Sequence, residues 1–320
     1  MRDSAMKARH FETQADSEKI KQWVQSKSRR RLRRRFARLL GNGLPLVSKQ
    51  IHRIRYWNSK RKIVGITGRS NPIGPDFIII GAPKCGTSWL RDALNQHPDV
   101  LTVRGEIEYF SSHSFYPKEW YFEHFARLLA ANPNVDPASC ILGEKSAHYC
   151  SLSRQDIARV RRLVPDARLI LMTRDPVSRH WAHAKKHFAK ARPHDPETAV
   201  LDVPRTKLLQ FFTEQRPVGE FSKIIGDWTS VFPAEQLLIL SQEKTLQCPE
   251  ASYDGALRHI GAVADYDSSS ITLLSQQKNR GPKVEMPADV RQFLEDMYGP
   301  ERQRVEDVCR DRSPSMSPEN

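Results

Sequence analysis

The sequence predicts an α/β fold in which a largely parallel central sheet carries helices on both faces. Three short apolar runs, at 77–82, 167–173 and 236–241, have the length and composition of strands that are buried on both sides. A segment with helical patterning follows each run after a short loop. Such strand–loop–helix alternation favours parallel strands joined by helical crossovers.

The predicted helices follow from hydrophobic spacing and from the residues that begin and end helices. The first begins after a glycine loop and ends before His97-Pro98, and another begins at Pro176, which suits a first helical turn. The full set covers residues 87–96, 153–163, 176–191, 219–231, 252–261 and 287–298.

Charge divides the chain into a basic amino-terminal extension and a near-neutral remainder. Residues 1–70 hold 20 Lys and Arg against 4 Asp and Glu, whereas residues 71–320 hold 31 against 33. The turn-rich segment at 68–75 is the expected linker between the two parts. We therefore predict an extension at 1–70, a folded domain at 71–309 and a disordered tail at 310–320.

The extension contains a predicted basic, partly amphipathic helix at 17–40, where apolar side chains interrupt the run SRRRLRRRFARLL. Three interpretations stay open: a solvated or partly disordered arm, contact with an anionic membrane surface or acidic polymer, and nucleic-acid binding. Specific nucleic-acid recognition is disfavoured because no recognition module accompanies the charge.

Cysteine usage and the amino terminus bear on the compartment of the protein. The five cysteines show no metal-type pairing, and the first residues lack the apolar core of a secretory signal. The sequence contains no charge-free run of about 18 apolar residues, so it predicts no membrane span. We expect a reduced, cytoplasmic setting, peripheral to a membrane if the extension binds one, with a Cys140–Cys150 bridge as the alternative for an exported chain.

The segment FIIIGAPKCGTSWLRDAL, at 77–94, combines a buried strand, a glycine loop and a helix start. The N–H groups and dipole of a helix start attract anions, and glycine lets the backbone approach a ligand closely. The spacing from Gly81 to Gly86 matches the nucleotide loop G-x-x-x-x-G-K-[ST], but Thr87 takes the position of its lysine. The lysine lies inside the loop instead, as Lys84, where it can stabilise charge on a leaving oxygen without Mg²⁺.

The order PKCGTSWL, at 83–90, resembles the 5′-phosphosulfate loop of sulfotransferases that use 3′-phosphoadenosine 5′-phosphosulfate (PAPS). The likeness extends over residues 76–309 and concerns above all the heparan sulfate N- and 3-O-sulfotransferases and their bacterial relatives. It implies a P-loop-like fold, PAPS as sulfuryl donor and no metal. It also implies that the donor is bound by Lys84, Cys85, Gly86, Thr87, Ser88 and Trp89.

Two further segments of the resemblance imply catalytic residues beside Lys84. The sequence GEIEYF is similar to the family's E-[IV]-x-F-F segment, which implies Glu106 as the base that takes a proton from the acceptor. Chemistry alone leaves Glu108 as an alternative, because either carboxylate can act as a base near an acceptor. The sequence GEKSAHYC is similar to E-K-[ST]-x-x-Y, which implies that Lys145 lies near the sulfuryl group and offsets its charge. A structural or substrate-orienting role is preferred for His148.

The segment TRDPVSRHWA resembles the family's 3′-phosphate motif R-[ND]-P-x-x-R-x-x-S, which implies that Arg174 binds the 3′-phosphate of the donor. A planar guanidinium at the carboxyl end of a strand suits this role. The family's serine falls on Ala182, so that one hydroxyl contact is absent or is supplied by Ser178 or a histidine.

The segment KNRGPKVEMP is similar to the family's K-G-R loop, which closes over the donor. The three positions of that loop are taken by Lys278, Asn279 and Arg280. Asparagine replaces the glycine and tolerates a positive φ better than most residues. A mobile loop ordered by the nucleotide and a plain surface turn both stay open.

Three histidines, His180, His183 and His187, share one face of the predicted helix at 176–191. Histidines at this spacing can bind zinc, but no carboxylate or cysteine completes a ligand set. We therefore expect a cationic, solvated helix face and no metal site.

The sequence thus predicts an enzyme that moves a sulfuryl group from PAPS to a hydroxyl or amine by in-line displacement. A glycan or glycoconjugate is the expected acceptor, on the strength of the resemblance. Four aromatic residues could either stack on sugar rings or belong to the core: Tyr109, Phe110, Trp120 and Tyr121. The alternatives are a P-loop phosphotransferase, which should have a lysine after the second glycine, and a glycan- or membrane-binding protein with a degenerate transferase fold.

Overall fold

A computed structural model describes residues 73–190, 194, 198–262 and 284–311 of the 320-residue chain. The predicted extension with its helix at 17–40, the basic loop at 278–280 and the tail beyond residue 311 lie outside the described residues. The division of the chain into domains stays a prediction.

A parallel sheet forms the centre of the described structure. Its strands are β1 (Phe77–Gly81), β2 (Val100–Thr102), β3 (Ile141–Lys145), β4 (Arg168–Thr173) and β5 (Leu237–Ser241). They lie in the spatial order β2-β3-β1-β4-β5, and each neighbouring pair is parallel. Every residue of β1 is buried, as expected of a central strand with apolar side chains on both faces. The prediction of an α/β fold with a parallel sheet is confirmed.

Helices flank this sheet and connect its strands. They are α1 (Thr87–Leu94), α2 (Lys118–Ala130), α3 (Arg154–Leu163), α4 (Pro176–Ala189), α5 (Arg205–Glu214), α6 (Phe221–Thr229), α7 (Gln242–Gln247), α8 (Pro249–Ile260) and α9 (Ala288–Asp311). Short 3₁₀ segments lie at Ala147–Ser151, Arg216–Val218 and Ala234–Gln236. Side chains cap several helix starts, and Asp175, for example, accepts a hydrogen bond from the Ser178 N–H at 2.8 Å.

Five of the described strands and helices were missed by the sequence analysis, namely β2, β3, α2, α5 and α7. β2 has three residues, too few for a recognisable pattern, and β3 ends in Glu144 and Lys145, which are charged types that are rarely buried. The predicted end of the last helix at residue 298 is wrong, because α9 continues through Pro300. Beyond the proline, the Glu301 carboxylate accepts bonds from the Ser222 N–H and hydroxyl at 2.6 and 3.0 Å, and these contacts hold the continuation in place.

The order of the strands determines where a ligand can bind. From β1 the chain goes to β2 and β3 on one side and then crosses to β4 and β5 on the other. The connections that leave the carboxyl ends of strands on the two sides of β1 therefore diverge. In open α/β sheets this divergence opens a crevice at the carboxyl edge, which is the usual ligand site.

Gly81 allows the end of β1 to approach the 3₁₀ segment at Ala147–Ser151 closely. A Cβ atom at Gly81 would lie 2.4 Å from the carbonyl oxygen of Ala147 and 2.8 Å from the Cβ of Cys150, and the φ angle of Gly81 is +146°. Both the contact and the backbone conformation therefore require glycine. The distance between the strand end and this segment sets the width of the crevice next to β1.

We expect Gly81→Ala to lower the free energy of unfolding by about 2–5 kcal/mol, because it combines a clash with backbone strain. Urea unfolding monitored by circular dichroism measures the change. The matched control is Gly255→Ala in α8, where a Cβ meets nothing within 4 Å. The control should be neutral or stabilising by up to about 1 kcal/mol. Equal stability of Gly81→Ala and wild type would contradict this account of the close approach.

Candidate active site

The carboxyl edge of the sheet brings together the side chains that the sequence analysis selected for chemistry. Lys84 follows β1, Glu106 follows β2, Lys145 ends β3 and Arg174 follows β4. Glu106 and Lys145 form an ion pair, and Arg174 Nη1 donates to the carbonyl oxygen of Lys84 at 3.2 Å. Lys145 is paired in register with Ile79 of β1, so Lys84 and Lys145 both lie at the end of the central strand pair.

The loop between β1 and α1 exposes the start of a helix without a side-chain cap. Gly86 is the N-cap residue, with a φ of 94°, and it provides no capping side chain for the first N–H groups of α1. Lys84 also has a positive φ, 72°, which is uncommon for a residue other than glycine. In the first turn of the helix Thr87 is buried, whereas Ser88 and Trp89 are half-buried. The loop thus offers an anion the backbone N–H groups that a helix start leaves available.

Two arginines hold the loop from below through its carbonyl oxygens. Arg174 contacts the Lys84 oxygen, and Arg179 Nε donates to the Pro83 oxygen at 3.1 Å. The Arg179 side chain is fully buried. Sequence analysis missed Arg179, although the 3′-phosphate motif contains this arginine between Arg174 and Ala182.

The ammonium group of Lys84 is surrounded by other cations. Burial, and after it the nearby charges of Lys186, Arg174 and Lys185, together lower its pKa to about 8. These cations repel one another, so an anionic ligand would stabilise them.

Cys85 contributes to this loop through its backbone rather than its thiol. Its side chain is fully buried, and its N–H donates to the Ala82 oxygen at 3.2 Å. Burial raises the pKa of the Cys85 thiol to about 12, and burial likewise raises the pKa of Cys150 to about 12. Both thiols are therefore neutral near pH 7 and act as small apolar groups.

Glu106 is held at the edge of the crevice by the segment that follows β3. One carboxylate oxygen is paired with Lys145 Nζ, and the other accepts a bond from the Ala147 N–H at 3.3 Å. The Glu106 side chain is 30% exposed, whereas Lys145 is 6% exposed, so the carboxylate is accessible while its partner is fixed in the protein. Glu108 instead contributes its backbone, since its N–H donates to Ser146 Oγ at 3.0 Å.

Glu144 is a buried carboxyl group directly behind the Glu106–Lys145 pair. Because side chains alternate along β3, Glu144 lies on the opposite face from Lys145. It accepts hydrogen bonds from Tyr121 at 2.6 Å and from Ser146 Oγ at 2.8 Å. Burial raises the pKa of Glu144 to about 7, and these hydrogen bonds oppose the shift. Sequence analysis quoted the E-K pair but assigned a role to the lysine alone.

The histidine face of α4 differs from the prediction. His180 is fully buried, with its ring nitrogens against the oxygens of Pro176, Gln215 and Tyr298. Burial and the neighbouring Arg179 lower the pKa of His180 to about 3, and the same two causes lower that of His183 to about 3. The expected cationic, solvated face is therefore wrong for His180, which packs against Tyr298 of α9. His183 is half-buried and His187 is exposed, and both lie beside Phe211 of α5.

The 3′-phosphate side of the predicted site lies at the start of α4. Arg174 and Ser178 are half-buried there, and Ala182 is partly exposed one turn further along. The Ser178 N–H is engaged by the Asp175 cap. The basic residues Lys278, Asn279 and Arg280 lie outside the described residues.

The aromatic residues considered for sugar stacking belong to the core, with one exception. Tyr109, Phe110 and Tyr121 are at most 6% exposed. Trp120 is half-buried and stacks on Tyr116 with a centroid distance of 4.3 Å. Trp120 is therefore the one of these four residues that keeps surface for a ligand.

The part of the chain that the structure describes contains neither a metal-binding cluster nor a helix that could span a membrane. Within those residues no cluster of three or more His, Cys, Asp or Glu side chains could hold a metal ion. In the same ranges, the helices are too short or too polar to cross a lipid bilayer.

A family model for the sulfotransferase domain matches residues 74–265, which is more than half of the chain. The chain belongs to the sulfotransferase family. The predicted resemblance is thereby confirmed, and the matched residues contain the anion loop, Glu106, Lys145 and Arg174. A solved sulfotransferase from Alicyclobacillus acidocaldarius has the same fold, with a TM-score of 0.56 at 22% identity over 74% of this chain and 96% of that chain.

Two human sulfotransferases are among the relatives by sequence. Heparan sulfate glucosamine 3-O-sulfotransferase 3B1 is 29% identical over 194 residues, which are 60% of this chain and 45% of that protein. Bifunctional heparan sulfate N-deacetylase/N-sulfotransferase 3 is 26% identical over 255 residues, covering 70% of this chain and 28% of that protein. This chain therefore spans less than half the length of either relative.

The lowered pKa of Lys84 predicts pH-dependent binding of adenosine 3′,5′-bisphosphate, the nucleotide left when PAPS loses its sulfuryl group. Below pH 8 the ammonium is charged and binds the anion; as pH rises through about 8 it loses its proton. The dissociation constant measured by calorimetry should then increase about tenfold per pH unit. The Lys84→Ala variant should lack this alkaline limb.

Lys186→Gln removes a positive charge near Lys84, so the alkaline rise of the dissociation constant should begin about 0.3–1 pH unit higher. Lys190→Gln is the matched control, because Lys190 is exposed at the end of the same helix and does not contribute to the pKa shift of Lys84. Identical limbs in wild type, Lys84→Ala and Lys186→Gln would contradict the assignment.

Proposed function

We propose that this chain transfers a sulfuryl group from PAPS to a hydroxyl or amine of a carbohydrate. The observation that carries the proposal is the juxtaposition of a helix-start anion loop, with Lys84 inside it, and the ion pair of Glu106 with Lys145. Membership of the sulfotransferase family supports the reaction class. The names of the two human relatives support a glycan acceptor.

The anionic groups of PAPS fit the charges of the crevice. Its 5′-phosphosulfate suits the N–H groups at the start of α1 and the ammonium of Lys84. Its 3′-phosphate suits the planar guanidinium of Arg174 at the end of β4. Lys185 and Lys186, whose charges act on Lys84, add to the positive potential of the same region. PAPS supplies the activated sulfuryl group, and the phosphate end of the nucleotide is the leaving group.

The protein's own residues divide the chemistry among three positions. Glu106 accepts the proton of the attacking hydroxyl or amine while the bond from that atom to sulfur forms. Lys145 offsets charge on the sulfuryl oxygens and keeps the Glu106 carboxylate in place. Lys84 stabilises the charge that develops on the leaving oxygen as the old sulfur–oxygen bond breaks.

A phosphotransferase is the alternative that the anion loop leaves open, and family membership disfavours it. In nucleoside-triphosphate loops a lysine follows the second glycine, whereas Thr87 follows Gly86 here and is buried. Transfer measured with labelled PAPS in the absence of Mg²⁺ separates the two activities.

We expect Glu106→Gln to lower kcat by about 10²–10⁴-fold, because glutamine keeps the shape of the side chain but cannot accept a proton. The assay is transfer of label from PAPS to a panel of carbohydrates, a phenol and a lipid alcohol. Glu108→Gln is the matched control and should lower kcat only slightly. Reversed results would move the base to Glu108, and transfer to none of the acceptors would reject the proposed activity.

Arg174→Ala should weaken binding of adenosine 3′,5′-bisphosphate by about 1.5–3 kcal/mol and barely affect adenosine 5′-monophosphate. The reason is that, among the phosphate groups of the nucleotide, the guanidinium is assigned only to the 3′-phosphate. Calorimetric titration of both nucleotides measures the difference. Ala182→Ser, which restores the family's hydroxyl, should leave the affinity unchanged or raise it. Equal weakening for the two nucleotides would make Arg174 a support of the loop only.

For the extension we propose contact of residues 17–40 with an anionic membrane surface or acidic polymer, such as the acceptor itself. The support is the charge of residues 1–70, with 20 basic against 4 acidic side chains. We also propose a cytoplasmic location, the setting that the odd number of five cysteines favours.

A further inference from the structure

The turn that carries Glu106 is attached to the end of β3 by a hydrogen bond to the side chain of Ser146. The Ser146 N–H donates to the Ile79 oxygen at 3.1 Å, which continues the pairing of β3 with β1. The Ser146 hydroxyl oxygen accepts from the Glu108 N–H at 3.0 Å. Glu108 has a φ of 50°, so a left-handed residue follows Glu106 by two positions. Its carbonyl oxygen accepts from the His113 N–H at 2.9 Å, and its N–H is held by Ser146.

The Ser146 hydroxyl is itself oriented by Glu144. Because the hydroxyl proton is donated to Glu144 Oε2 at 2.8 Å, a lone pair of the oxygen is directed to the Glu108 N–H. Tyr121 on α2 fixes the other carboxyl oxygen at 2.6 Å. Ser146 and Glu144 are both fully buried, so water cannot replace these bonds.

A second attachment lies further along the same turn. The Phe110 N–H donates to the Tyr149 hydroxyl at 3.4 Å, and Tyr149 is fully buried. The segment 144–149 therefore holds the base by its carboxylate, through Lys145 and Ala147, and by its backbone, through Ser146 and Tyr149.

We propose that Ser146, oriented by the buried Glu144, is a positioning residue that sets the direction of the Glu106 carboxylate. The inference rests on the proposed function, in which Glu106 is the base. A misplacement of about 1 Å in a reacting group can cost about 10²-fold in rate, so a single hydrogen bond to the turn is sufficient to affect turnover.

The first test is Ser146→Ala, which removes the hydroxyl and leaves the backbone bond to β1. We expect kcat to fall about 10- to 100-fold, with the KM for PAPS and the affinity for adenosine 3′,5′-bisphosphate unchanged. Ser151→Ala is the matched control, since Ser151 is an exposed serine of the same segment whose hydroxyl contacts the His148 oxygen at 3.2 Å. The control should retain wild-type kcat. An unchanged kcat for Ser146→Ala overturns the proposal.

The second test separates positioning from general support of the fold. In the background of Glu106→Gln, Ser146→Ala should cause no further loss, because its effect passes through the base. An equal loss in both backgrounds overturns the proposal. Glu144→Gln should retain most of the activity, because its amide offers an acceptor to Ser146 and a donor to Tyr121, whereas Glu144→Leu should resemble Ser146→Ala.

A third measurement keeps the inference independent of the base assignment. Hydrogen exchange of the Glu108 N–H should accelerate in Ser146→Ala and stay unchanged in Ser151→Ala, whether or not the chain transfers sulfate. If Glu106→Gln is fully active, the base assignment of the proposed function fails while the exchange result still tests the attachment. Unaltered exchange in Ser146→Ala shows that the contact is absent and overturns the inference.

Discussion

The pairing of β1 with β3 on one side and β4 on the other is the interaction on which the site depends. Parallel pairing in register brings the carboxyl ends of these strands to one edge. Lys84, Lys145 and Arg174 therefore lie at the same edge, because each follows or ends one of these paired strands. Because Gly81 has no Cβ atom, the end of β1 can lie close to the segment after β3. The apolar sheet thus determines the spacing of the polar groups.

Concentrated positive charge is balanced by different means on the two sides of this edge. At the end of β3, Lys145 is neutralised by the Glu106 carboxylate. In the loop after β1, Lys84 is surrounded by other cations, and the pKa of Lys84 falls. Beneath the loop, Arg179 contacts a backbone carbonyl and two uncharged imidazoles. The Lys84 loop therefore favours an anion from outside the protein, whereas Lys145 already has its counter-ion.

Sequence patterns revealed the parts of this arrangement that local residue types determine. The apolar runs gave β1, β4 and β5, the glycine loop gave Lys84, and the resemblance to sulfotransferase segments gave Glu106, Lys145 and Arg174 as candidates. Burial of polar residues could not be inferred, because it depends on distant partners. Glu144 is stabilised by Tyr121, 23 residues earlier, and His180 meets Tyr298, 118 residues later. By residue type alone, such side chains are expected at the surface.

The contact between α9 and the start of α4 has a consequence for how the protein is made. Asp175, next to Arg174, forms an ion pair with Arg302 at 2.7 Å across a separation of 127 residues. A ribosome releases the chain from its amino terminus, so all strands of the sheet emerge before the helix that supplies this partner. The part of the crevice next to Arg174 is consequently completed late in synthesis. A nascent chain that lacks α9 contains the sheet and the anion loop but not the ion pair that holds Asp175 at the start of α4.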